Sequence, residues 1–433
     1  MARVSKLTIK NIGPIKDIKM DINKITFLLG PQSSGKSTIA KVLCHCQWME
    51  KRCYTNFEEE SAKFIVGTSF VDGFNEYYRF EGYFRDDSYI LYEGKYITLE
   101  YKDTNLRISK NQDVDYEYPK LCYVPAERNL VAAIPNLRKY NDTNDLILYF
   151  MYDWFEAREY LKEIDLDSIL ERQVKYVFDK SNNNDLIYDE GDTKLDLKNA
   201  SSGLQSVVPL MTVSTYILKG VFKRYKPLSS EQRMQLENAN IALQKLVKEL
   251  NSKVEERKKK GETGEFSINN IDGIEENPLL KGMLFRDPTI LDVMASSQRE
   301  FFYKRSCIYI EEPEQNLFPD AQQKYVYWLM REMRESQRHH SALITTHSPF
   351  VLFSLNNCLI GGLTEYNLPE QVKNENPSRY SWIDPKLVAV YEIHDGKLRT
   401  IQEESGLLMH NYLNQAYRKI NAEYLAMLDY YED

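Results

Sequence analysis

The chain has 433 residues, of which 28% are charged and 42% hydrophobic, and its formal net charge at pH 7 is −8. This length accommodates two or three domain-sized units, and the acidic balance argues against indiscriminate nucleic-acid binding, although it leaves room for local basic patches. No apolar run approaches the roughly 20 residues that span a bilayer, and residues 1–6 lack the apolar segment of a signal peptide. Six cysteines in a chain of this length do not indicate a disulfide framework. We therefore expect a cytoplasmic protein without a membrane partner.

The predicted elements begin with β-strands that lead into a glycine-rich loop. In the first part of the chain, strands are predicted at 4–9, 15–22 and 25–29, a helix at 38–46, a hairpin from 88–92 and 96–101, and a buried strand at 121–124. The many tyrosines between 64 and 108 are typical of half-buried strands, although base stacking is an alternative. Cys44-His45-Cys46 resembles a metal site, but residues two apart on a helix face different directions, which favours a buried helix over zinc.

The middle and the end of the chain alternate between helical and strand patterns. Helices are predicted at 143–177, 204–222 and 229–260, a hairpin around 190–192, strands at 306–310 and 342–345, a closing hairpin from 387 through 394–396, and a C-terminal helix. Leu236, Ala239, Leu243, Leu246 and Leu250 follow a heptad-like spacing over about two heptads, which predicts a helical arm or packing helix rather than a long rod. The basic run 257–260 is either a solvated helix end or a nucleic-acid contact.

The segment from Gly30 to Ser37 reads GPQSSGKS, which is a phosphate-binding P-loop between a predicted strand and a predicted helix. Its glycines let successive backbone N–H groups point at phosphate oxygens, and the helix start adds partial positive charge. Lys36 is expected to reach the β- and γ-phosphates and Ser37 to ligate Mg²⁺. The expected nucleotide-binding residues of this loop are Gly30, Pro31, Gln32, Ser33, Ser34, Gly35, Lys36, Ser37 and Thr38.

A second motif is the apolar strand that ends in acids, Cys307 to Glu314. A P-loop enzyme needs such a strand beside the P-loop strand, because one carboxylate holds the Mg²⁺ shell and another orients or deprotonates the attacking water. We assign Glu311 to the metal and Glu312 to catalysis.

The sequences EPEQNLFP from Glu312 and TTHSP from Thr345, together with LTIKNIGPI from Leu7, resemble the ABC ATPases of the RecF/SMC and OLD-like group. This resemblance implies an α/β ABC-ATPase head, in which a mixed P-loop sheet carries an antiparallel β subdomain and an inserted helical lobe. It also implies that the acidic strand end is the Walker B motif and that His347 is the switch histidine, which donates a hydrogen bond to the γ-phosphate or the attacking water. The alternative is a histidine beside a helix start, with Ser348 as the cap and Pro349 at the first helical position; both roles are compatible.

Residues 200–206, ASSGLQS, resemble the ABC signature: Ser202, Gly203 and Gln205 match it, and Leu204 replaces its second glycine. The resemblance implies that this helix start closes over ATP bound by a second copy of the chain. A serine hydroxyl, free N–H groups and a helix dipole all favour an anion there. Without the resemblance, the same residues are a good helix cap.

Three departures from the family pattern bear on the prediction. Pro125-Ala126-Glu127-Arg128 stands where the family has its Q-loop, so Arg128 is expected to reach phosphate or an interfacial carboxylate, or to form a structural ion pair. Walker B has Glu311 where many ABC proteins have Asp. The residues after Phe350 lack the clustered acids of the Toprim nuclease domain that OLD nucleases carry.

The predicted organisation is 1–130 and 301–433 for the two halves of the ATPase head, and 131–300 for the helical lobe. The motif order resembles the ATPase subunits of bacterial anti-phage systems such as PARIS and Septu. This implies an ATP- and Mg²⁺-dependent homodimer or higher oligomer that gates a separate effector in response to DNA or a phage-derived trigger. The alternative is a RecF-like ATPase of DNA repair or recombination, while a transporter subunit is disfavoured by the altered signature.

Overall fold

The computed structural model describes residues 4–65, 69–112, 115–134, 145–190, 193–224, 303–428 and 430–431. The chain divides into two units: Met1–Val221 with Lys304–Asp433, and Phe222–Tyr303. Almost all of the second unit lies outside the described residues, as do the predicted arm at 229–260 and the basic run at 257–260. The fold given below is that of the first unit, and the predicted boundaries at 130 and 300 stay predictions.

The described strands make two sheets. They are β1 (Ser5–Ile12), β2 (Ile15–Ile22), β3 (Ile25–Leu29), β4 (Tyr89–Glu93), β5 (Ile97–Lys102), β6 (Asn105–Lys110), β7 (Pro119–Val124), β8 (Glu163–Asp165), β9 (Val174–Asp179), β10 (Asn184–Asp189), β11 (Thr193–Asp196), β12 (Arg305–Glu311), β13 (Ser341–Thr346), β14 (Val388–His394) and β15 (Lys397–Thr400).

The helices connect and cover these strands. They are α1 (Lys36–Thr55), α2 (Phe57–Ile65), α3 (Ser69–Tyr78), α4 (Leu130–Ala133), α5 (Leu146–Leu161), α6 (Asp167–Leu170), α7 (Ser202–Thr215), α8 (Val221–Arg224), α9 (Pro319–Glu335), α10 (Pro349–Thr364), α11 (Glu370–Glu375) and α12 (Tyr412–Leu428), with a π-helical segment at Tyr216–Gly220.

The main sheet has eleven strands in the order β6-β5-β4-β1-β2-β15-β14-β3-β13-β12-β7. Strands β7, β12, β13, β3 and β14 run parallel, whereas β1, β2, β4, β5 and β6 pair antiparallel. A second sheet has the order β11-β10-β9-β8. The predicted α/β fold, with a mixed sheet and an antiparallel region, is therefore confirmed.

The parallel strands place the ends of three motifs side by side. Every residue of β3 and β12 is buried, as expected for strands in the middle of a parallel sheet that is covered on both faces. Leu29 is level with Thr346, and Thr345 is level with Glu311. The P-loop, the acids after β12 and the turn after β13 consequently leave the sheet at the same edge.

One long helix prediction is wrong in its second half. The pattern at 143–177 yields a helix only over Leu146–Leu161, and the chain then forms β8, the short α6 and β9. In β9 the residues alternate between buried and half-buried, which is the period of a strand, and they pair with β10 and β8. Pairing with the preceding and the following strand of the second sheet thus overrode the local helical pattern.

The cysteine and tyrosine patterns belong to the core in the described structure. His45 is buried, and its ring lies 4.2 Å from that of Phe74 and 5.3 Å from that of Trp48, measured between centroids. Tyr92 and Tyr101 are buried on β4 and β5. These contacts support the packing interpretations over zinc and base stacking. Among the helices described here, none combines the length and apolarity that a membrane crossing requires.

Candidate active site

The P-loop joins β3 to α1, as predicted, and its glycines are needed for steric reasons. Gly35 has φ of 103°, and an added Cβ there would lie 2.3 Å from Ile15 Cδ1. A Cβ at Gly30 would lie 2.6 Å from the carbonyl oxygen of Ile393. Side chains at these two positions would therefore collide with the neighbouring turn and strand, so glycine allows the tight loop.

Lys36 is only 5% exposed, and its ammonium group is held inside the loop. Its Nζ donates hydrogen bonds to the carbonyl oxygens of Gly30 at 2.9 Å and Pro31 at 2.8 Å. Burial lowers the pKa of Lys36 to about 8, while the carboxylates at the end of β12 act in the opposite direction. The lysine is thus a desolvated cation that phosphate oxygens can take over from carbonyl oxygens.

Glu311 is the last residue of β12, and its carboxylate is held by hydrogen bonds from the β7 side. The hydroxyl of Tyr123, on the neighbouring β7, donates to Glu311 Oε1, and the backbone N–H of Ala126 approaches Oε2 at 3.4 Å. Burial raises the pKa of Tyr123, so the phenol stays a donor. Glu311 and Ser37 line the same cavity, whose walls also include Thr38. A carboxylate and a hydroxyl beside a phosphate loop fit Mg²⁺, which takes oxygen ligands and binds through few protein groups.

Glu312 and His347 form a pair at this edge. Nε2 of His347 lies 3.0 Å from Oε1 of Glu312, a distance at which a protonated Nε2 donates to the carboxylate. This hydrogen bond is the main cause that lowers the pKa of Glu312 and keeps it ionised. Glu312 has φ of 44°, an uncommon conformation for a residue with a side chain, and its N–H donates to the carbonyl of Thr345 at 2.9 Å. The two predicted catalytic residues are therefore brought together.

Arg128 occupies a structural position, which corrects its assignment as a nucleotide contact. The side chain is fully buried, at 0% exposure, and it donates from Nη1 to the carbonyl of Glu311 at 2.9 Å and from Nη2 to that of Glu312 at 2.8 Å. Burial lowers its pKa to about 10, so it remains a cation at neutral pH. Because both amino groups serve backbone carbonyls, the guanidinium holds the strained Walker B turn instead of reaching phosphate or a carboxylate.

Glu314 connects the Walker B turn to the switch turn, a role that the sequence did not reveal. Its Oε1 accepts hydrogen bonds from Thr346 Oγ1 at 2.9 Å and from the backbone N–H of His347 at 2.6 Å. Burial raises the pKa of Glu314, and Oε2 is buried without a hydrogen-bond partner among the described atoms. The signal in the sequence was the second acid of Glu-Pro-Glu, two residues after Glu312.

The switch turn also caps a helix, as the alternative interpretation of His347 expected. Ser348 precedes α10, and its hydroxyl accepts from the N–H groups of Phe350 at 3.1 Å and Val351 at 3.3 Å. Pro349 is the first residue of the helix. The cap fixes the backbone that carries His347. It is compatible with the predicted switch role, which stays a prediction.

The signature-like residues stand at the start of α7, where Ser201 is the N-cap and both Ser201 and Ser202 are exposed. A Cβ at Gly203 would lie 3.0 Å from the carbonyl of Asn316, in the loop that follows Walker B. The amide nitrogen of Gln205 donates to the carbonyls of Lys198 at 2.9 Å and Ala200 at 3.1 Å, and the Ser206 hydroxyl donates to that of Gln315 at 3.0 Å.

These contacts join the signature to Walker B rather than to the P-loop of the same chain. Gln205 supports the preceding turn here, and its predicted contact with nucleotide stays a prediction, as do those of Ser202 and Gly203. The exposure of the two serines leaves the helix start open to another molecule.

Tyr412 also contacts the P-loop, and nothing in the sequence predicted this. Its hydroxyl donates to the carbonyl of Gly30 at 3.1 Å, the same oxygen that accepts from Lys36. Its N–H donates to Glu392 Oε1 at 2.6 Å, and Glu392 is paired with Arg399. The start of α12 is thereby attached to the nucleotide edge of the sheet.

No protein-family model matches the sequence, and no curated protein does. Among solved structures, the SMC head domain from Thermotoga maritima aligns with a TM-score of 0.36 at 10% identity, covering 93% of this chain and 99% of that one. A nucleotide-free ATP-binding cassette from an ABC transporter gives 0.32 at 10% identity, covering 93% of each chain. The recombination mediator protein RecF gives 0.31 at 12% identity, covering 92% and 98%. At these TM-scores the likeness carries no argument about activity, which rests on the site itself.

Proposed function

We propose that this chain is an ATPase of the ABC type that binds ATP with Mg²⁺ and hydrolyses it. The observation that carries the proposal is the meeting of a buried P-loop lysine, Glu311 and the Glu312–His347 pair at one edge of a parallel sheet. A phosphate-binding lysine near an ionised carboxylate that is paired with an imidazole is an arrangement able to hold a phosphate and orient an attacking water.

In this proposal Lys36 exchanges its two carbonyl partners for phosphate oxygens, and the loop N–H groups and the start of α1 hold the remaining charge. Ser37 and Glu311 would hold Mg²⁺, which would neutralise charge on the phosphates. The Glu312 carboxylate accepts a hydrogen bond from the attacking water and orients it, and His347 Nε2 donates either to Glu312 or to the transferring group.

Hydrolysis on this proposal requires two copies of the chain. Ser201 and Ser202 are exposed at the start of a helix of 14 residues, so their hydroxyls and the free N–H groups of α7 are available to a γ-phosphate held by another P-loop. ATP then acts as the link between two heads, and hydrolysis separates them. We infer that such a switch regulates a separate effector, as in the anti-phage ATPases that the motifs resemble.

The catalytic proposal is tested with Glu312→Ala and Lys36→Ala. We expect Glu312→Ala to bind ATP, to lose at least about 100-fold in turnover and to accumulate as a dimer with ATP, because the water-orienting carboxylate is gone while the phosphate site is intact. Lys36→Ala should lose ATP binding itself. Binding is measured with a fluorescent ATP analogue and mass by light scattering.

Glu404→Ala, an exposed acid away from the site, is the control for both variants. Normal turnover in Glu312→Ala would show that the assignment of the catalytic carboxylate is wrong. The regulatory role is tested by purifying the chain with its neighbouring gene product. Absence of a complex and of any effect on phage infection would exclude it, whereas ATP-dependent duplex binding with a steep salt dependence would favour the RecF-like alternative.

A further inference from the structure

Glu311 is a buried residue whose carboxylate has no cationic partner among the residues that the structure describes. It is 6% exposed, and its carboxylate accepts a hydrogen bond from the hydroxyl of Tyr123 and lies 3.4 Å from the backbone N–H of Ala126. Arg128 donates to the backbone carbonyl of Glu311 and not to the carboxylate. A carboxylate accepts about four hydrogen bonds, so acceptor capacity remains. Because a buried charge is costly without a counter-charge, this arrangement favours a bound cation.

The register between β7 and β12 explains how Tyr123 reaches this carboxylate. Tyr123 is level with Tyr309 in the parallel pair, and Glu311 lies two residues further along β12. Residues two apart on a strand share a face, so Tyr309 and Glu311 point to the same side of the sheet. The rings of Tyr123 and Tyr309 stack there, with 5.8 Å between their centroids and 10° between their planes. The Tyr123 hydroxyl is therefore presented to Glu311 by a ring that packing holds in place.

A glutamate at this position gains more from a fixed donor than an aspartate would. Its side chain has one more methylene group and hence one more rotatable bond, and ordering that bond costs conformational entropy. The hydrogen bond from Tyr123 to Oε1 restrains this rotation while Glu311 lines the same cavity as Ser37. Since Mg²⁺ requires near-ideal octahedral geometry, a restrained carboxylate is a better ligand for it than a mobile one.

We propose that Tyr123 is a positioning residue for Mg²⁺, whose hydroxyl holds the Glu311 carboxylate in the orientation that binds the metal. This inference rests on the proposed function, because it takes Glu311 and Ser37 as the residues that hold Mg²⁺. Carboxylates that ligate metals are themselves held by hydrogen bonds, and the loss of such a bond costs about 10–100-fold in metal affinity. The packing of the Tyr123 ring is separable from this role, because phenylalanine retains the ring.

The test compares Tyr123→Phe with Tyr309→Phe as a matched control. Each variant removes one phenol hydroxyl from a buried, stacked ring, but the hydroxyl of Tyr309 donates to Gln47 Oε1 at 2.7 Å and not to Glu311. Mg²⁺ is titrated into each protein with a trace of a fluorescent ATP analogue, and the half-saturating Mg²⁺ concentration is read from the binding signal without turnover. Affinity for the analogue in EDTA is measured separately.

We expect the half-saturating Mg²⁺ concentration to rise about tenfold in Tyr123→Phe and to stay within about twofold of the wild type in Tyr309→Phe. The Mg²⁺ concentration for half-maximal phosphate release should rise by the same factor. Affinity in EDTA should be unchanged in both variants, because neither hydroxyl contacts the P-loop. An equal loss in EDTA and in Mg²⁺ for Tyr123→Phe would show a structural role and overturn the inference.

Glu311→Gln separates this inference from the proposed function. It should raise the half-saturating Mg²⁺ concentration, and adding Tyr123→Phe should change that value by less than about twofold, because Tyr123 acts through the missing charge. If Glu311→Gln raises the Mg²⁺ requirement but Tyr123→Phe matches Tyr309→Phe, the role of Tyr123 is refuted and the proposed metal site stands. If Glu311→Gln leaves the requirement unchanged, the metal assignment itself is wrong, and the role of Tyr123 is refuted with it.

Discussion

The Walker B turn and the start of the signature helix contrast in how much support a single chain gives them. At the end of β12, Arg128 donates to two consecutive carbonyls, and Glu314 accepts from Thr346 and from the backbone of His347. At the start of α7, Ser201 and Ser202 face solvent. The acidic turn after β12, which we propose to be the hydrolytic half of the site, is therefore held within one chain, whereas the described contacts of the signature-like helix start do not include the P-loop of the same chain.

This difference has an energetic reason. A left-handed backbone at Glu312 costs on the order of 1 kcal/mol or more, and each of the hydrogen bonds that hold it contributes about 1 kcal/mol. The strained turn persists because Arg128 and Thr345 bind both of its sides. The start of α7 carries no such backbone strain. The Ser201 hydroxyl caps it by accepting from the N–H of Leu204 at 3.4 Å, and the first N–H groups of the helix have no acceptor within the helix.

The largest expected effect on ATP turnover comes from blocking the exposed start of α7. Ser202→Arg places a bulky cation where a second copy would approach, so we expect turnover to fall by about 100-fold or more with unchanged ATP affinity and thermal stability. Ser202→Ala should retain much more activity, because it removes only one hydroxyl. Turnover is measured by phosphate release.

Mixing distinguishes a contact between copies from one within the chain. Lys36→Ala protein mixed with Ser202→Arg protein should be more active than either alone, because one site in the mixed dimer combines an intact P-loop with an intact signature. The absence of any rescue would contradict a composite site.

The next effect concerns the supported half. Arg128→Met leaves the carbonyls of Glu311 and Glu312 without their donors, so we expect a loss of about 2–4 kcal/mol in the free energy of unfolding. Arg128→Lys keeps the charge but lacks the two separate amino groups that contact both carbonyls. Its free energy of unfolding should lie between those of the wild type and of Arg128→Met. Urea titration followed by fluorescence measures both. If Arg128→Met unfolds at the same urea concentration as the wild type, the turn at Glu311 and Glu312 does not depend on Arg128 for its stability.

Removing the link between the two turns should have a smaller effect on rate. Glu314→Ala deletes the acceptor for Thr346 and His347, so we expect kcat to fall about tenfold with little change in KM, because the phosphate loop is untouched. Glu314→Gln keeps an acceptor oxygen and should restore kcat to within about twofold. If the two variants are equally slow, the charge of Glu314 matters more than its hydrogen bonds.

The smallest effect is the pH dependence of ATP affinity. Burial holds the pKa of Lys36 at about 8 in the free protein, and a bound triphosphate favours the ammonium form and raises that pKa. Below pH 8 Lys36 is protonated in both the free and the ATP-bound protein, so the affinity for ATP does not change with pH. Above pH 8 the free protein has lost this proton, so ATP binding must take one up. The affinity should therefore fall by up to about tenfold per pH unit.

Calorimetry in buffers of different ionisation enthalpy measures that proton uptake directly. Lys36→Arg should bind ATP more weakly but without this slope, because the guanidinium stays charged throughout the range. A slope of the same size in Lys36→Arg would assign the titration to another group.

The parts of the site that could be predicted are those formed by residues that are consecutive in the sequence. The P-loop, the acids after β12 and the turn around His347 are each carried by a few consecutive residues between a strand and a helix, so their residue types were enough to place them at the ends of strands. The alternatives for Arg128 stayed open in the sequence because the carbonyl groups that it contacts belong to residues 183 and 184 positions away. No role for Glu314 followed from the motif, because its hydrogen-bond donors, Thr346 and the backbone of His347, lie at the end of a different strand.

The sequence by itself determined the P-loop, the placement of Glu311 and Glu312 at a strand end, and the cap of the helix after His347. These features follow from backbone geometry that contiguous residues impose. Only the tertiary structure decided that Val174–Asp179 is a strand, that Arg128 supports a backbone turn, and that Tyr412 contacts Gly30 across 382 residues. Sheet pairing and burial created those contacts, and neither can be read from a window of neighbouring residues.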